Sequence, residues 1–426
     1  METLLMSRKE QVRLEVFARV KAGEVTRGKA AELLALSYRQ TLRSYARYAA
    51  VGASGLTHGL RGRASNRGHA ASHRSAVLAA YRSSYAGFGP TLAAEQMLSR
   101  ERLSVDAETL RRWLLAEGLW KGVRKRQKHR SRRERREHAG ELAQLDGSPH
   151  AWLEGRGPRM SLVELVDDAT GRAYGRFYAE ETTESVMDCF GRYAGRHGLP
   201  RALYVDKDSI YVVNNREPTG AEILEGREPA TQFGRAMGEL GVELIVANSP
   251  QAKGRVERVH GTHQDRLVKL LRLAGVSTMA GANEYLEGHY WADYNARFAV
   301  AAARSADLHR KPGRGVVLSE VLCVKAGRKV GRDWCVCYER RVLQLDVKHQ
   351  KLALAGREVE VRQYPDGRLS LWFGGRALSH AELAARPAVA KAARPAFKAR
   401  QAYKPGAAHP YKRGLAALET TAAAGT

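Results

Sequence analysis

NSPQAKGRVERVHGTHQDRLVKLLRL, residues 248–273, is the stretch from which the rest of the chain is read. Asn248, Ser249 and Pro250 are loop formers, and the ring of Pro250 fixes φ just ahead of a basic, periodic segment. From Val256 onward, Val259, Leu267, Leu270 and Leu271 fall on one helical face, with Arg and Lys spread over the others. The spacing predicts a long helix with Glu257 in its first turn, beside a loop and outside the core. Taken alone, an acid there needs no function, because a helix N-terminus favours negative charge. Two aspartates far upstream, Asp146 and Asp206, give it another meaning.

At 426 residues the chain is long enough for several domains. Its net charge of +26 and pI of about 10.2 suit a polyanionic partner, namely nucleic acid. A basic protein of the membrane surface would carry an amphipathic aromatic helix or a lipidation signal, and neither is present. The opening METLLMSRKEQ lacks an apolar signal region, and no apolar run reaches about 18 residues. The cysteines, Cys189, Cys323, Cys335 and Cys337, are too few for a disulfide framework, and Cys335 and Cys337 read as strand residues. These features fit a reduced, cytoplasmic protein.

Residues 1–50 read as three helices. Ser7–Lys21 stops at Gly23, Thr26 caps a short second helix, and Ser37 with Gln40 forms a capping box for the third. Two short helices joined by a tight turn make a helix-turn-helix, whose second helix offers Tyr38, Arg39, Gln40 and Arg43 to base edges. Residues 51–74 are a basic linker rich in Gly, Ser, Arg and His. There Arg61, Arg63 and Arg67 suit a minor groove or a solvated tether. Residues 75–120 repeat the pattern: Gly89-Pro90-Thr91 opens one helix and Ser104 the next, with Thr109, Arg111 and Arg112 as candidate DNA contacts. A connector at 121–139 begins with KGVRKRQKHRSRRERR, which fits phosphate contact or a solvated linker.

From Leu142 the pattern turns to strands. LAQLDGS, MSLVELVDDATG and RAYGRFYAEE form a meander; Thr182 or Thr183 caps a helix ended by Gly198, and ALYVD is a short strand finishing at Asp206. Helix TQFGRAMGEL and strand VELIVA lead back to the opening stretch. Three strands, helix, strand, helix, strand, long helix is a ribonuclease H-like α/β layout, placed at 140–300. In it the first and fourth strands are neighbours, so Asp146 and Asp206 meet at one sheet end, which the helix of Glu257 passes. Three carboxylates there offer hard oxygen ligands to two Mg²⁺ or Mn²⁺ ions, one activating the attacking oxygen and one stabilising the leaving oxygen. Asp167 and Asp168 are the rival pair, better read as turn formers at Asp-Ala-Thr-Gly. His260 and His263 read as DNA-facing or packing residues, and Trp291, Tyr294 and Phe298 as packing.

LDGS at Asp146, VDDATG, YVDKDS at Asp206 and SPQAKGRVERVHGTHQDRL at Glu257 together resemble the integrase-like DDE transposases of bacterial insertion sequences, most of all the ISNCY-type group. The resemblance spans nearly the whole chain. It implies that Asp146, Asp206 and Glu257 are the catalytic, metal-binding acids; Lys253, Arg255, Arg258 and His260 are left to supply DNA contacts in place of the Lys or Arg that many relatives carry two turns beyond the Glu. Three departures stand out. Lys207-Asp208 follows Asp206 where many relatives have Asn-Gly, the interval to Glu257 is lengthened by about Val213–Thr231, and Gln264 occupies a position often held by Lys or Arg.

Short alternating runs at 315–382 (VLSEVLCVK, WCVCYERRVLQLD, KLALAGREVEVRQYP and LSLWFGG) predict a small SH3-like all-β barrel. Residues 386–426, with repeated Ala, Arg, Pro and Lys, read as a disordered basic tail. The expected activity is DNA transposition: binding the terminal inverted repeats, hydrolysing a phosphodiester at each end, and transferring the freed 3′-hydroxyl into target DNA. A homodimer or larger assembly on double-stranded DNA follows from the need to join two ends. The alternatives are a catalytically inactive, sequence-specific DNA-binding regulator and a ribonuclease H acting on hybrids, for which two sequence-reading units would be superfluous.

Overall fold

The computed structural model describes residues 6–59, 61, 68–121, 133–213, 229–247, 254–384, 406, 409 and 410. Arg63, Arg67, Lys253, the Asn248–Pro250 loop, most of the connector, most of the Val213–Thr231 insertion and nearly all of the tail therefore lie outside the described residues. The chain divides into two compact units, Met1–Val123 and Arg124–Thr426. Among the described residues no helix is long and apolar enough to cross a membrane.

The first unit holds two sets of three helices. In the first set, α1 (Arg8–Lys21), α2 (Arg27–Leu33) and α3 (Tyr38–Val51) begin where the caps predict. Thr26 Oγ1 accepts from Lys29 N–H at 3.2 Å, and Ser37 Oγ accepts from Gln40 N–H at 3.3 Å. Phe17 is fully buried against the rings of Tyr45 and Tyr48. In the second set, α4 (Ala71–Ser84), α5 (Pro90–Glu101) and α6 (Ala107–Ala116) enclose Tyr81, Tyr85, Phe88, Leu110 and Leu114. Two starts differ from expectation. α4 begins within the stretch read as linker. α6 is capped by Asp106, whose carboxylate accepts from Glu108 and Thr109 N–H, not by Ser104. Val105 is buried just before the helix, which fixes where the chain enters it.

The second unit is built on a five-stranded sheet of order β3-β2-β1-β4-β5, from β1 (Leu142–His150), β2 (Met160–Asp167), β3 (Ala173–Tyr178), β4 (Ala202–Val205) and β5 (Glu243–Val246). The first three strands are antiparallel, and β4 and β5 run parallel to β1, the neighbours and directions expected of the ribonuclease H-like layout. Helix α7 (Thr183–His197) covers one face and the long helix α9 (Gly254–Leu273) the other. Both coverings reach β2: Cys189 of α7 donates to the Val163 carbonyl, and the Glu164 side chain meets His263 of α9. Every residue of β2 is consequently buried. Helix α8 (Gln232–Leu240) links β4 to β5. Helices α10 (Met279–Tyr285) and α11 (Trp291–Phe298), joined by a π turn over Leu286–Tyr290, close the core beside β3. Trp291 and Tyr294 are buried as expected; Phe298 is 40% exposed, but its ring lies 4.9 Å from that of Tyr294.

The C-terminal strands do not form one closed barrel among the described residues. One sheet has the order β11-β10-β9-β6, from β6 (Val324–Lys329), β9 (Glu358–Gln363), β10 (Leu369–Phe373) and β11 (Arg376–Leu378). The other runs β12-β8-β7, from β7 (Cys335–Tyr338), β8 (Arg341–Leu345) and β12 (His380–Leu383). After β6 the chain turns at Trp334, which has a left-handed φ of 60°, and β7 then pairs with β8 instead of β6. The two sheets share a core of Val336, Leu343, Leu354, Val361 and Leu371. Part of VLSEVLCVK is a short helix, α12 (Leu318–Val321), not strand. Gln232 of α8 bonds both the N–H and the carbonyl of Lys325, which ties this region to the five-stranded core.

Candidate active site

The register of β1 and β4 decides the placement of the two aspartates. Leu142, Ala143 and Gln144 pair with Ala202, Leu203 and Tyr204 in turn. Carried two residues on, that register sets Asp146 level with Asp206 on adjacent parallel strands, which lie about 4.8 Å apart. Both are partly buried, Asp206 just past the end of β4 and Asp146 at mid-strand in β1, which runs on to His150. Asp206 closes a turn by accepting from Asp208 N–H at 3.0 Å, and Asp208 in turn accepts from Ile210 N–H at 2.9 Å.

Helix α9 lies along β1. Val256 N–H donates to Gln144 Oε1 at 3.2 Å, His260 Nδ1 is 3.8 Å from Asp146 Oδ2, and Gln264 Nε2 donates to Ser148 Oγ at 3.1 Å. Four helical residues advance about 6 Å and two strand residues about 6.6 Å, so the elements keep step. Glu257, exposed in the first turn, comes one turn before His260 on the side shared with His260 and Gln264. The three acids thus belong to adjoining elements at one end of the sheet. Their carboxylates are not gathered into a ready cage: among the described residues no group of three or more His, Cys, Asp or Glu side chains is arranged to hold a metal ion.

Residues that the sequence did not flag complete the neighbourhood. Glu181, just before α7, rests on Gly147, where a Cβ would lie 1.7 Å from Glu181 Oε2. Tyr211, buried, donates to Glu181 Oε1 at 3.0 Å. Burial, with the charges of Asp146, Asp206 and Asp208 added to it, raises the Glu181 carboxyl above its ordinary value. Such a field of crowded carboxylates is what a divalent cation relieves, so the donor set fits a hard ion of the Mg²⁺ or Mn²⁺ kind. On the covered face, Glu164 stands directly opposite Asp146 on β2 and is fully buried. Burial alone would raise its pKa; His263 and His260 together outweigh that and hold it below the usual carboxylate range. Both histidines are buried in this cluster, which excludes a DNA-facing role and leaves packing with a polar purpose.

Asp167 and Asp168 serve the turn and more. Asp167 Oδ1 accepts from the N–H and hydroxyl of Thr170, and its Oδ2 accepts from Gly140 N–H at 2.8 Å. Asp168, fully buried, accepts from Gln144 Nε2 at 2.7 Å, Arg136 N–H at 2.9 Å and the Arg133 guanidinium, with Arg255 Nη1 at 3.3 Å. Gln144 thereby links Asp168 to the start of α9. Arg255 is 14% exposed and donates also to the Arg133 carbonyl at 2.6 Å, so its charge is spent inside the protein.

The remaining candidates lie on surfaces. Tyr38 is 55% exposed, and Arg39, Gln40 and Arg43 are exposed beside it. Arg61 pairs with the buried Glu10 at 2.6 Å. Arg111 and Arg112 both bond Glu108, while Thr109 is half-buried against its cap. Arg258 is exposed and donates to the Gly254 carbonyl.

No family model matches the chain. It is 40% identical over 385 residues to a protein of Sinorhizobium fredii (strain NBRC 101917 / NGR234) named as the transposase y4bF, covering 89% of this chain and 82% of that one. It is 35% identical over 156 residues to the transposase for insertion sequence IS1202 of Streptococcus pneumoniae, covering 36% and 32%. Among solved structures, a simian T-cell lymphotropic virus intasome in complex with the PP2A regulatory subunit B56 gamma matches at 14% identity and a TM-score of 0.32, over 69% of this chain and 98% of that one. The HTLV-2 integrase catalytic core domain with magnesium, in its dimeric form, matches at 15% and 0.26, over 35% and 84%. At identities and scores this low, neither structural likeness bears on what the chain does.

Proposed function

The chain belongs to the transposases, and from that premise we propose that it is a DDE enzyme of the ISNCY-type group that cuts and joins DNA at the ends of an insertion sequence. The observation that carries the proposal is the β1/β4 register, which sets Asp146 beside Asp206 next to the helix of Glu257. In this reading Asp146, Asp206 and Glu257 are the ligands of two divalent cations. Bound there, Mg²⁺ or Mn²⁺ would supply Lewis-acid activation of the attacking oxygen and stabilise the leaving oxygen. Gln144 holds the first turn of α9 to β1, and Tyr211 holds the Glu181 carboxylate over Gly147, next to Asp146. The scissile phosphodiester is hydrolysed at each element end, and the freed 3′-hydroxyl attacks target DNA in the same site.

DNA recognition falls to the two helical sets, read as helix-turn-helix units: Tyr38, Arg39, Gln40 and Arg43 on α3, and Arg111 and Arg112 on α6, with Thr109 beside them. Arg61 and Arg63 would lie in a minor groove, Arg61 after parting from Glu10, and Lys253 and Arg258 would meet DNA near the acids, whereas Arg255, committed to Asp168, fixes the start of α9. Two ends must be joined in concert, so the active species is a homodimer or larger assembly on double-stranded DNA.

Asp206→Asn is the test. With Mg²⁺ or Mn²⁺ and DNA carrying the flanking inverted repeats, the unsubstituted chain should nick at the element end. The variant should retain the DNA in a gel assay and leave it intact. If the unsubstituted chain binds those ends but never nicks them with either ion, it is a DNA-binding regulator and not an enzyme.

A further inference from the structure

Glu164 and the two histidines beside it are not among the residues assigned a role above. Glu164 is the direct cross-strand partner of Asp146, so both side chains lie on the sheet face that α9 covers. A fully buried carboxylate beside another acid is costly unless positive or hydrogen-bonding groups meet it. His263 meets one side of it: its Nε2 is 2.7 Å from Glu164 Oε1, and its Nδ1 is 2.6 Å from the hydroxyl of Tyr290, supplied by the π turn. That pair satisfies one of the two carboxylate oxygens.

The second histidine does something different. His260 Nε2 lies 3.3 Å from Glu164 Oε2, an oxygen with no aligned hydrogen bond, while its Nδ1 lies 3.8 Å from Asp146 Oδ2. One imidazole, 8% exposed, therefore stands between the buried acid and the partly exposed one. Behind its ring stands a carboxylate that is itself bonded to His263, whose other nitrogen meets Tyr290.

We propose that His260 is a positioning residue for Asp146: anchored by Glu164, it holds the Asp146 carboxylate in the orientation that receives a divalent cation. The inference rests on the reading of Asp146 as a metal ligand. Groups of this kind, one shell behind a metal ligand, change metal affinity by about 10–100-fold when removed.

The experiment uses the full chain with its end DNA and compares His260→Gln, Glu164→Gln and Asp206→Asn with the unsubstituted protein. Mn²⁺ binding is read directly by electron paramagnetic resonance titration, and nicking is read in single turnover across a Mg²⁺ series. His260→Gln and Glu164→Gln should each weaken Mn²⁺ binding at least tenfold and raise the half-saturating Mg²⁺ concentration by a similar factor. Excess Mg²⁺ should restore most of the rate, and retention of DNA should not change. A purely packing role predicts a lower melting temperature with unaltered metal dependence, and that result would overturn the proposal. If His260→Gln does not fold, Glu164→Gln, which keeps the shape and removes the charge, reads the same quantity; if neither folds, the cluster is structural and the proposal fails. Should Asp206→Asn abolish Mn²⁺ binding while both other variants bind normally, only this inference is lost. Should the unsubstituted chain bind no Mn²⁺, the reading of the acids as metal ligands is lost with it.

Discussion

Replacing Asp168 with alanine should destabilise the second unit by about 4 kcal/mol. Its carboxylate is fully buried and receives Gln144, the Arg136 N–H, Arg133 and Arg255. Alanine leaves the buried Gln144 amide without its acceptor, worth about 1–3 kcal/mol. It also strips the counter-charge from Arg255, only 14% exposed; removing one partner of a buried ion pair typically costs about 3–5 kcal/mol. Arg133, 35% exposed, can turn to water and adds little. These terms share one carboxylate and do not add in full, which brings the total to about 4 kcal/mol. At about 2–4 °C per kcal/mol for a unit of this size, the melting transition of the core should fall by about 8–16 °C.

The assay is thermal unfolding of the full chain followed by calorimetry, where the transition of the helical first unit serves as an internal reference. Hydrogen exchange supplies a second measurement: the amides at the start of α9 should lose protection before the rest of that helix, because Gln144 no longer has both its anchors. Asp168→Asn, which keeps an acceptor and the shape, should fall about halfway. A shift of the core transition smaller than about 2 °C with the alanine variant would refute the reasoning. A rise in stability with Asp168→Leu would show instead that the buried charges are a net cost that hydrophobic packing can replace.

Changing Arg124, Lys125, Arg126 and Lys128 to alanine should lower the slope of log K against log salt for DNA by up to about 3.6, measured by fluorescence anisotropy at several salt concentrations. His197 gives a pH signature: burial, and then the neighbouring Arg172 and His309, lower its pKa from 6.5 to about 4. The unfolded chain therefore binds a proton that the folded chain refuses between those values, so stability is full above pH 6.5 and is lost as pH falls towards 4. Discounted for its partial exposure, this amounts to about 1–2 kcal/mol, and His197→Asn should flatten melting temperature against pH in that window. Gly147→Ala would push the Glu181 carboxylate aside and away from Tyr211, and should cost about the 0.5–1.5 kcal/mol of that hydrogen bond. Adding Glu181→Ala should recover most of it, which a double-mutant cycle in urea would measure.

What could be read in the sequence was what local chemistry decides. Thr26 and Ser37 each announce a helix because their oxygens satisfy an N–H that the helix leaves open, and both cap where expected; of Thr182 and Thr183, it is Thr182 that caps. Asp206 could be placed because a strand that ends in an acid delivers it to the sheet edge, and the parallel β1/β4 pairing brings Asp146 level with it, although β1 does not end at Asp146 but runs on to His150. The failures share a different cause. Ser104 and Asp106 are equally good caps in isolation; the burial of Val105 chose between them. The C-terminal strands alternate as a barrel's would, but alternation says only that one face is buried, and closure depends on partner choice after the turn at Trp334.

Glu164 is the most instructive omission. In MSLVELVDD an acid between apolar residues reads as the solvent face of an alternating strand. Here β2 is an interior strand covered on both faces, so its polar position is as buried as its apolar ones. A charge can persist there only if another element brings it a partner, and α9 brings His260 and His263, spaced three apart on one helical face. That pair of histidines was visible in the sequence, and so was the acid, but nothing local links residue 164 to residues 260 and 263. The link is made by the sheet order, which puts β2 beside β1 and sets both beneath one helix. The helix that carries Glu257 is therefore met over its first three turns by polar side chains of the strands beneath it: Gln144 at the first, Asp146 and Glu164 at the second, and Ser148 at the third. A side chain substituted at any of these levels should act on the site through the position of α9, even where it touches neither metal nor DNA.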